Sequence, residues 1–121
     1  MLLDSNIIIA AASPGGEKIA DWLEGRALAT SIVSRIELLG GPHLAEPQKG
    51  WLTAFFNKVN VLAVDTPIAE IAMRLRLERK LVLADAVVAA TALHHKMPLV
   101  TRNPGAFQHI AGLQVLDPSA A

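Results

Sequence analysis

Short apolar segments alternate along the chain with longer segments of helical periodicity. The apolar segments are bounded by glycine, proline or polar residues, which is typical of strands buried in a sheet. Ile68, Ile71 and Leu75, by contrast, lie on one face of a predicted helix. Strands that alternate with helices favour a parallel sheet covered on both faces. The predicted strands are residues 1–3, 27–32, 59–64, 98–101 and 113–116, and the predicted helices include 17–24, 51–57, 84–96 and one that begins at Thr66.

The remaining segments are predicted from their end signals. A helix that ends at Leu39 can be capped by Ser31 or Ser34 and stops at the glycines that follow. Residues 43–49 are polar and contain proline, so they predict a loop, and Asn103 begins a turn with proline and glycine. The helix 84–96 is apolar on nearly every side, which indicates that it is buried.

Composition narrows the class of protein. The chain has 121 residues, 52% of them hydrophobic and 18% charged, which suits one globular domain spanning residues 1–121. Because the formal net charge is zero, no overall basic field points to nucleic acid, and because cysteine is absent, disulfides and thiolate zinc sites are excluded. No segment reaches the roughly 18–20 apolar residues of a membrane span. We therefore expect a cytoplasmic protein with no membrane partner.

Three acidic residues lie among residues that should be buried: Asp4, Glu37 and Asp85. An isolated ionised carboxylate in an apolar environment costs several kcal/mol or more unless a cation compensates it. No Lys, Arg or His lies within three residues of Asp4 or Asp85. Asp4 ends the first strand, Glu37 follows the second, Asp85 begins the buried helix and Asn103 follows the fourth strand. All four are candidates for one edge of the sheet, where three carboxylates would form an all-oxygen site suited to Mg²⁺ or Mn²⁺.

Each acid also has an ordinary structural explanation. Asp4 or Asp85 could be the N-cap of a helix, where a carboxylate accepts backbone N–H bonds. Glu37 could pair with Arg35 or face solvent. Three acids at long separations occur by chance in many α/β domains, so the spacing alone is a weak signal.

The segments around these acids make the signal stronger. LLDSNIII, SIVSRIELLGG, LADAVVAATAL and LVTRNPGAF occur in the order and spacing of a PIN domain. Over essentially its whole length the chain resembles a VapC-type toxin of a type II toxin–antitoxin pair. The resemblance implies a three-layer α/β/α PIN-like fold with a central, mostly parallel sheet of about five strands. It further implies a Mg²⁺- or Mn²⁺-dependent endoribonuclease that hydrolyses RNA with metal-activated water.

The resemblance also assigns roles and partners. Asp4, Glu37 and Asp85 match the family's metal-binding and catalytic carboxylates. Partners implied are an RNA substrate, a small antitoxin that covers the site, and a second copy of the chain in a homodimer. The supporting polar positions are Ser5, Asn6, Ser34 and Asn103, and Arg102, beside Asn103, is a candidate RNA contact.

One position departs from the family pattern. The family often has an acid where this chain has Ala106, so the fourth carboxylate is missing and a second metal ion becomes doubtful. The alternative function is therefore a catalytically weak or inactive PIN-like module that binds nucleic acid or regulates. A phosphoacceptor receiver domain, also α/β with an acid after its first strand, is a further alternative. An apolar pair, Met73 and Leu77, lies opposite the predicted core face of its helix and suggests a dimer or partner surface.

Overall fold

The computed structural model describes residues 1–42 and 44–120, and the polar segment predicted at 43–49 begins with a residue outside this range. The strands are β1 (Leu2–Leu3), β2 (Ala29–Ser31), β3 (Asn60–Leu62), β4 (Leu99–Val100) and β5 (Val115–Leu116). The helices are α1 (Ser5–Ala12), α2 (Glu17–Leu23), α3 (Ile32–Leu39), α4 (Gln48–Lys58), α5 (Thr66–Glu78) and α6 (Leu83–His95), with short 3₁₀ turns at Pro104–Ala106 and Pro118–Ala120.

The five strands form one parallel sheet in the order β3-β2-β1-β4-β5. β1 is central, and its Leu3 is in register with Thr30 on one side and Val100 on the other. The prediction of a parallel sheet of about five strands is confirmed. Receiver domains follow the flavodoxin-like order 2-1-3-4-5, so this strand order excludes the receiver alternative.

Two apolar cores cover the two faces of the sheet. Because successive side chains of a strand point to opposite faces, Leu2 and Leu99 enter one core while Leu3 and Val100 enter the other. The first core is packed mainly by α5 and α6, and the second by α1, α2 and α4. The three-layer α/β/α prediction is therefore confirmed.

The start of α4 differs from the prediction, whereas one of the two predicted caps of α3 is confirmed. α4 begins at Gln48, inside the segment predicted as a loop. Its N-cap, Pro47, has helical backbone angles and makes no side-chain cap bond, so the sequence carries no cap signal for this start. α3 is capped by Ser31, whose Oγ accepts from the Val33 N–H at 3.1 Å. Ser34, the other candidate cap, is instead a buried residue inside the helix.

Helix α6 is buried as predicted: the seven consecutive residues 86–92 are all inaccessible or nearly so. The predicted exposure of the apolar pair on α5 is also confirmed, since Met73 is 57% and Leu77 87% exposed. In the part of the chain that the structure describes, no helix combines the length and apolar character needed to cross a membrane.

Candidate functional site

The strand order creates a switch point between β1 and β4. From β1 the chain moves outward through β2 to β3, and it then returns to place β4 on the other side of β1. In open α/β sheets, ligands bind in the crevice outside the carboxyl ends of the strands at such a point. Asp4 directly follows β1 and Thr101 directly follows β4. The sheet therefore delivers these two side chains to its expected binding edge.

Asp4 is held firmly in this crevice. It is 8% exposed and is the N-cap of α1, where one carboxylate oxygen accepts from the Ser5 N–H at 2.8 Å. The other oxygen accepts from the Thr101 hydroxyl at 2.9 Å. The cap explanation is therefore correct for Asp4, and it is compatible with a site role because the cap uses only one of the two oxygens.

Thr101 organises the crevice, although no role was predicted for it. Its hydroxyl is fully buried, donates to Asp4, and accepts from the Asn103 N–H at 3.0 Å and from the Asn6 side-chain amide at 3.2 Å. The Asn6 side-chain oxygen Oδ1 in turn accepts from the Arg102 backbone N–H at 3.1 Å. These bonds tie the start of α1 to the segment after β4. The sequence signals for Thr101 are its place at a strand end, two residues before Asn103, and its position in the segment LVTRNPGAF that carries the family resemblance.

Glu37 reaches the same edge from α3. Its side chain is exposed, and Oε1 accepts from the Ser5 hydroxyl at 2.9 Å, so Ser5 links the start of α1 to α3. One turn earlier on α3, the Ser34 hydroxyl is fully buried and has no hydrogen-bond partner among the described residues. An unpaired buried hydroxyl is costly, so Ser34 is an available polar atom beneath this side of the site.

Asp85 comes from the first turn of α6. The N-cap of this helix is Val82, so the explanation of Asp85 as an N-cap is wrong. The carboxyl group is half-buried, and this burial raises its pKa, as does the charge of Glu37. A cap bond would have lowered the pKa instead.

The three acids are electrostatically coupled. Burial is the main reason that the pKa of Asp4 is raised; the hydrogen bonds from Thr101 and Ser5 oppose this effect, and the charges of Asp85 and Glu37 add to it. The charge of Asp85 thus acts on Asp4, although the two residues are 81 positions apart in sequence. The predicted convergence of the three carboxylates on one edge agrees with this coupling.

The described residues contain no set of three or more Asp, Glu or His side chains already arranged as a metal site. The carboxylates nevertheless suit a divalent cation in their chemistry. They offer hard oxygen ligands. Burial and the charges of neighbouring acids raise the pKa values of Asp4 and Asp85, and a bound cation would lower these pKa values again. Because Glu37 is exposed on a helix surface, its side chain can turn without disturbing the core.

The segment after β4 contributes to the site mainly through its backbone groups. Asn103 is exposed and is fixed through its N–H to Thr101. Ala106 donates its N–H to the Asn103 carbonyl at 3.2 Å, and its methyl group packs against the core formed with α5 and α6. The position where the family often has an acid is therefore occupied by an apolar core contact.

The fold and this edge define a class: a parallel three-layer domain with clustered carboxylates at its switch point. The family model for the PIN domain matches residues 1–113, and the chain belongs to that family. The resemblance to VapC-type PIN toxins is confirmed by similarity to solved structures of toxin–antitoxin complexes. Among curated proteins, none is significantly similar in sequence.

Several solved structures are similar over nearly the whole chain. A chain of a toxin–antitoxin complex from Klebsiella pneumoniae is 31% identical with a TM-score of 0.80, covering 97% of this chain and 96% of its own. A FitAcB structure from Neisseria gonorrhoeae is 26% identical with a TM-score of 0.80, covering 99% of both chains. A DNA-bound VapBC structure from Salmonella typhimurium, at 23% identity and a TM-score of 0.83 over 97% and 96%, shares the fold.

Proposed function

We propose that this chain, as one PIN domain over residues 1–121, is the Mg²⁺- or Mn²⁺-dependent endoribonuclease toxin of a toxin–antitoxin pair. Toxins with a PIN domain are nucleases, so hydrolysis of nucleic acid follows from the family. The observation that carries the finer proposal is the arrangement at the β1–β4 switch point: Asp4 is bonded to Thr101, Glu37 is bonded to the adjacent Ser5, and the charges of Asp85 and Glu37 raise the pKa of Asp4.

Asp4, Glu37 and Asp85 would hold the cation. When bound, a divalent cation lowers the pKa of water and neutralises charge that develops on the phosphodiester. Asp4 is the oriented ligand, because the Thr101 hydroxyl and the Ser5 N–H fix both of its oxygens. Glu37 is exposed, so its carboxylate is the one that can reach an attacking water and accept its proton.

The supporting polar residues act through these acids. Ser5 positions Glu37, Asn6 secures Thr101 and the Arg102 backbone, and Asn103 closes the same network through its N–H. Ser34 supplies a buried hydroxyl without a partner among the described residues. The exposed guanidinium of Arg102 is proposed to contact the RNA backbone, since the carboxylates themselves repel phosphate.

The proposed partners are a small antitoxin, a second copy of the chain, and RNA encountered in the cytoplasm. Similarity to a chain of a toxin–antitoxin complex supports the antitoxin. The exposed apolar residues Met73 and Leu77 on α5, with Val82 and Leu83 before and at the start of α6, support a homodimer because large apolar groups rarely stay exposed together on a monomer.

The test is RNA cleavage by the wild type, Asp4→Asn and the matched control Asp21→Asn, an exposed acid of α2, each with and without Mg²⁺ or Mn²⁺. Loss of a direct ligand should exceed the roughly 10–100-fold cost of losing a metal site's outer hydrogen-bond partner. We expect Asp4→Asn to lose more than about 100-fold in rate and to lose cation binding by calorimetry, with Asp21→Asn unchanged.

Equal cleavage by the wild type and Asp4→Asn would contradict the site assignment. The second candidate, a PIN-like module that binds without cutting, is favoured by Ala106, whose methyl group occupies the fourth acidic position. Metal-dependent RNA binding without cleavage by the wild type would support that candidate.

A further inference from the structure

A cleft of about 570 Å³ borders the Asp4–Thr101 pair through Asn6 and Arg102. It is formed by α1, the loop that joins α1 to α2, the start of α2, and the residue after Thr101. Its size is within the roughly 300–1,000 Å³ typical of ligand sites. The lining includes Asn6, Ile9, Ala10, Ser13, Ile19 and Arg102.

The cleft is continuous with the site. Asn6 borders the cleft and also donates to Thr101, the residue that holds Asp4. Arg102 borders the cleft from the other side, and its backbone is bonded to the Asn6 side chain. A linear polymer that places one unit at the carboxylates therefore places its next unit at this cleft.

The loop that lines the cleft is closely packed. The α1–α2 loop lies so near the end of α1 that a Cβ on Gly16 would overlap the Ala10 carbonyl oxygen. Gly15 has a φ of +86°, which only glycine adopts readily. The Ser13 hydroxyl donates to the Ile9 carbonyl at 2.6 Å and accepts from Gln48 at 2.8 Å. These contacts hold the loop in the conformation that forms the cleft.

We propose that this cleft is a nucleoside subsite, which holds the base next to the phosphodiester that is cut. The inference rests on the proposed function. Ile9, Ala10 and Ile19 offer apolar surface to the faces of a base. The second N–H of the Asn6 side-chain amide and the remaining lone pair of the Ser13 hydroxyl can bond to its edge. Arg102 lines the same cleft and brings a positive charge that suits a backbone phosphate better than a neutral peptide.

The test combines a change in the protein with a change in the RNA. Ala10→Leu should fill the cleft, and Ala54→Leu, an exposed position of α4, is the matched control. Both are made in an Asp85→Asn background so that RNA stays intact. Binding of a short single-stranded RNA is measured by fluorescence anisotropy in Mg²⁺, and the oligonucleotide is then made abasic at each position in turn.

With Ala54→Leu, removing one particular base should weaken binding about tenfold, in line with the loss of one base stacked on protein. With Ala10→Leu, binding of the intact RNA should be about tenfold weaker, and removing the same base should have no further effect. Equal binding by the two variants, or equal abasic effects in both, would overturn the subsite and leave the cleft to a protein partner.

A second measurement does not depend on the folding of Ala10→Leu. In the chain with Asp85→Asn alone, one abasic position should stand out from the rest, and a uniform abasic profile would overturn the proposal. Cleavage by the wild type distinguishes failure of the subsite from failure of the proposed function. If the wild type cleaves RNA and the abasic profile is uniform, only the subsite fails; if the wild type neither cleaves nor binds RNA, the proposed function and the subsite fail together.

Discussion

The two halves of the carboxylate edge are built differently. The β1–β4 half consists of Asp4 and Thr101, both buried at the ends of paired strands and bonded to each other. The helix half consists of Glu37 and Asp85, which come from α3 and α6 and are exposed and half-buried. Among the described residues, Ser5 is the hydrogen-bond partner of the Glu37 side chain.

One site therefore combines a fixed half with a half that can adjust. The β1–β4 half cannot move without breaking the register of the central strands, whereas the Glu37 side chain can rotate on its helix surface. We infer that the β1–β4 half sets where the cation binds, and that Glu37 adapts to complete its shell. Changes to the two halves should therefore have unequal effects on folding and on activity.

The largest expected effect is that of Asp85→Asn. Under the proposal that Asp85 binds the cation directly, this substitution should lower cleavage by more than about 100-fold, which exceeds the effect of losing an outer hydrogen-bond partner. Stability should change in the opposite direction. Burial and Glu37 raise the pKa of Asp85, so in the cation-free protein folding favours its protonated form, and this contribution is lost as pH rises through the folded pKa.

Asp85→Asn should therefore raise the melting temperature of the cation-free protein at pH 7 and have little effect well below pH 4, where the wild-type group is protonated. Thermal unfolding at both pH values, in a chelator, measures this difference. Asp21→Asn serves as the exposed control. A melting temperature lowered at pH 7 would show that Asp85 is not a repelled carboxylate.

The next effect is that of Thr101→Val in the β1–β4 half. The substitution removes a buried hydroxyl that donates to a carboxylate and leaves two donors, from Asn6 and Asn103, without their acceptor. We expect a loss of about 1–3 kcal/mol in unfolding free energy, and about 10–100-fold in cation affinity or cleavage.

Thr91→Val is the matched control for this change, because Thr91 is equally buried but bonds only to the Val87 carbonyl within α6. Denaturant unfolding and cation titration should show a stability cost in both variants and an affinity cost only in Thr101→Val. Similar cation affinity in the two would mean that Thr101 is only structural.

The smallest effect is expected for Ser5→Ala, which removes the hydrogen bond to Glu37 of the helix half. Its hydroxyl bond to Glu37 is exposed, so its loss should leave the melting temperature nearly unchanged and reduce cleavage by about two- to tenfold. Ser119→Ala, which removes another exposed hydroxyl–carboxylate bond, to Asp117, is the control. A drop as large as that of Thr101→Val would show that Glu37 is held as rigidly as Asp4.

The fold was predictable because buried strands and helices differ in apolar period. The boundaries that failed, such as the start of α4 at Gln48, lack a side-chain cap that local sequence could reveal. Asp4, Glu37 and Asp85 were predicted from the cost of burying charge and from family motifs, and their roles remain proposals. The burial argument was wrong for Glu37, whose side chain is exposed because its part of α3 faces solvent. Thr101 was missed because a threonine at a strand end is usual, and its partner Asp4 lies 97 residues away in sequence.

That separation has a consequence for protein synthesis. Asp4 is synthesised 97 residues before Thr101, so a nascent chain that has not yet reached Thr101 lacks the hydroxyl that orients Asp4. If the chain is a toxin, the order of translation itself keeps the carboxylate edge incomplete until β4 and the residue after it have been made.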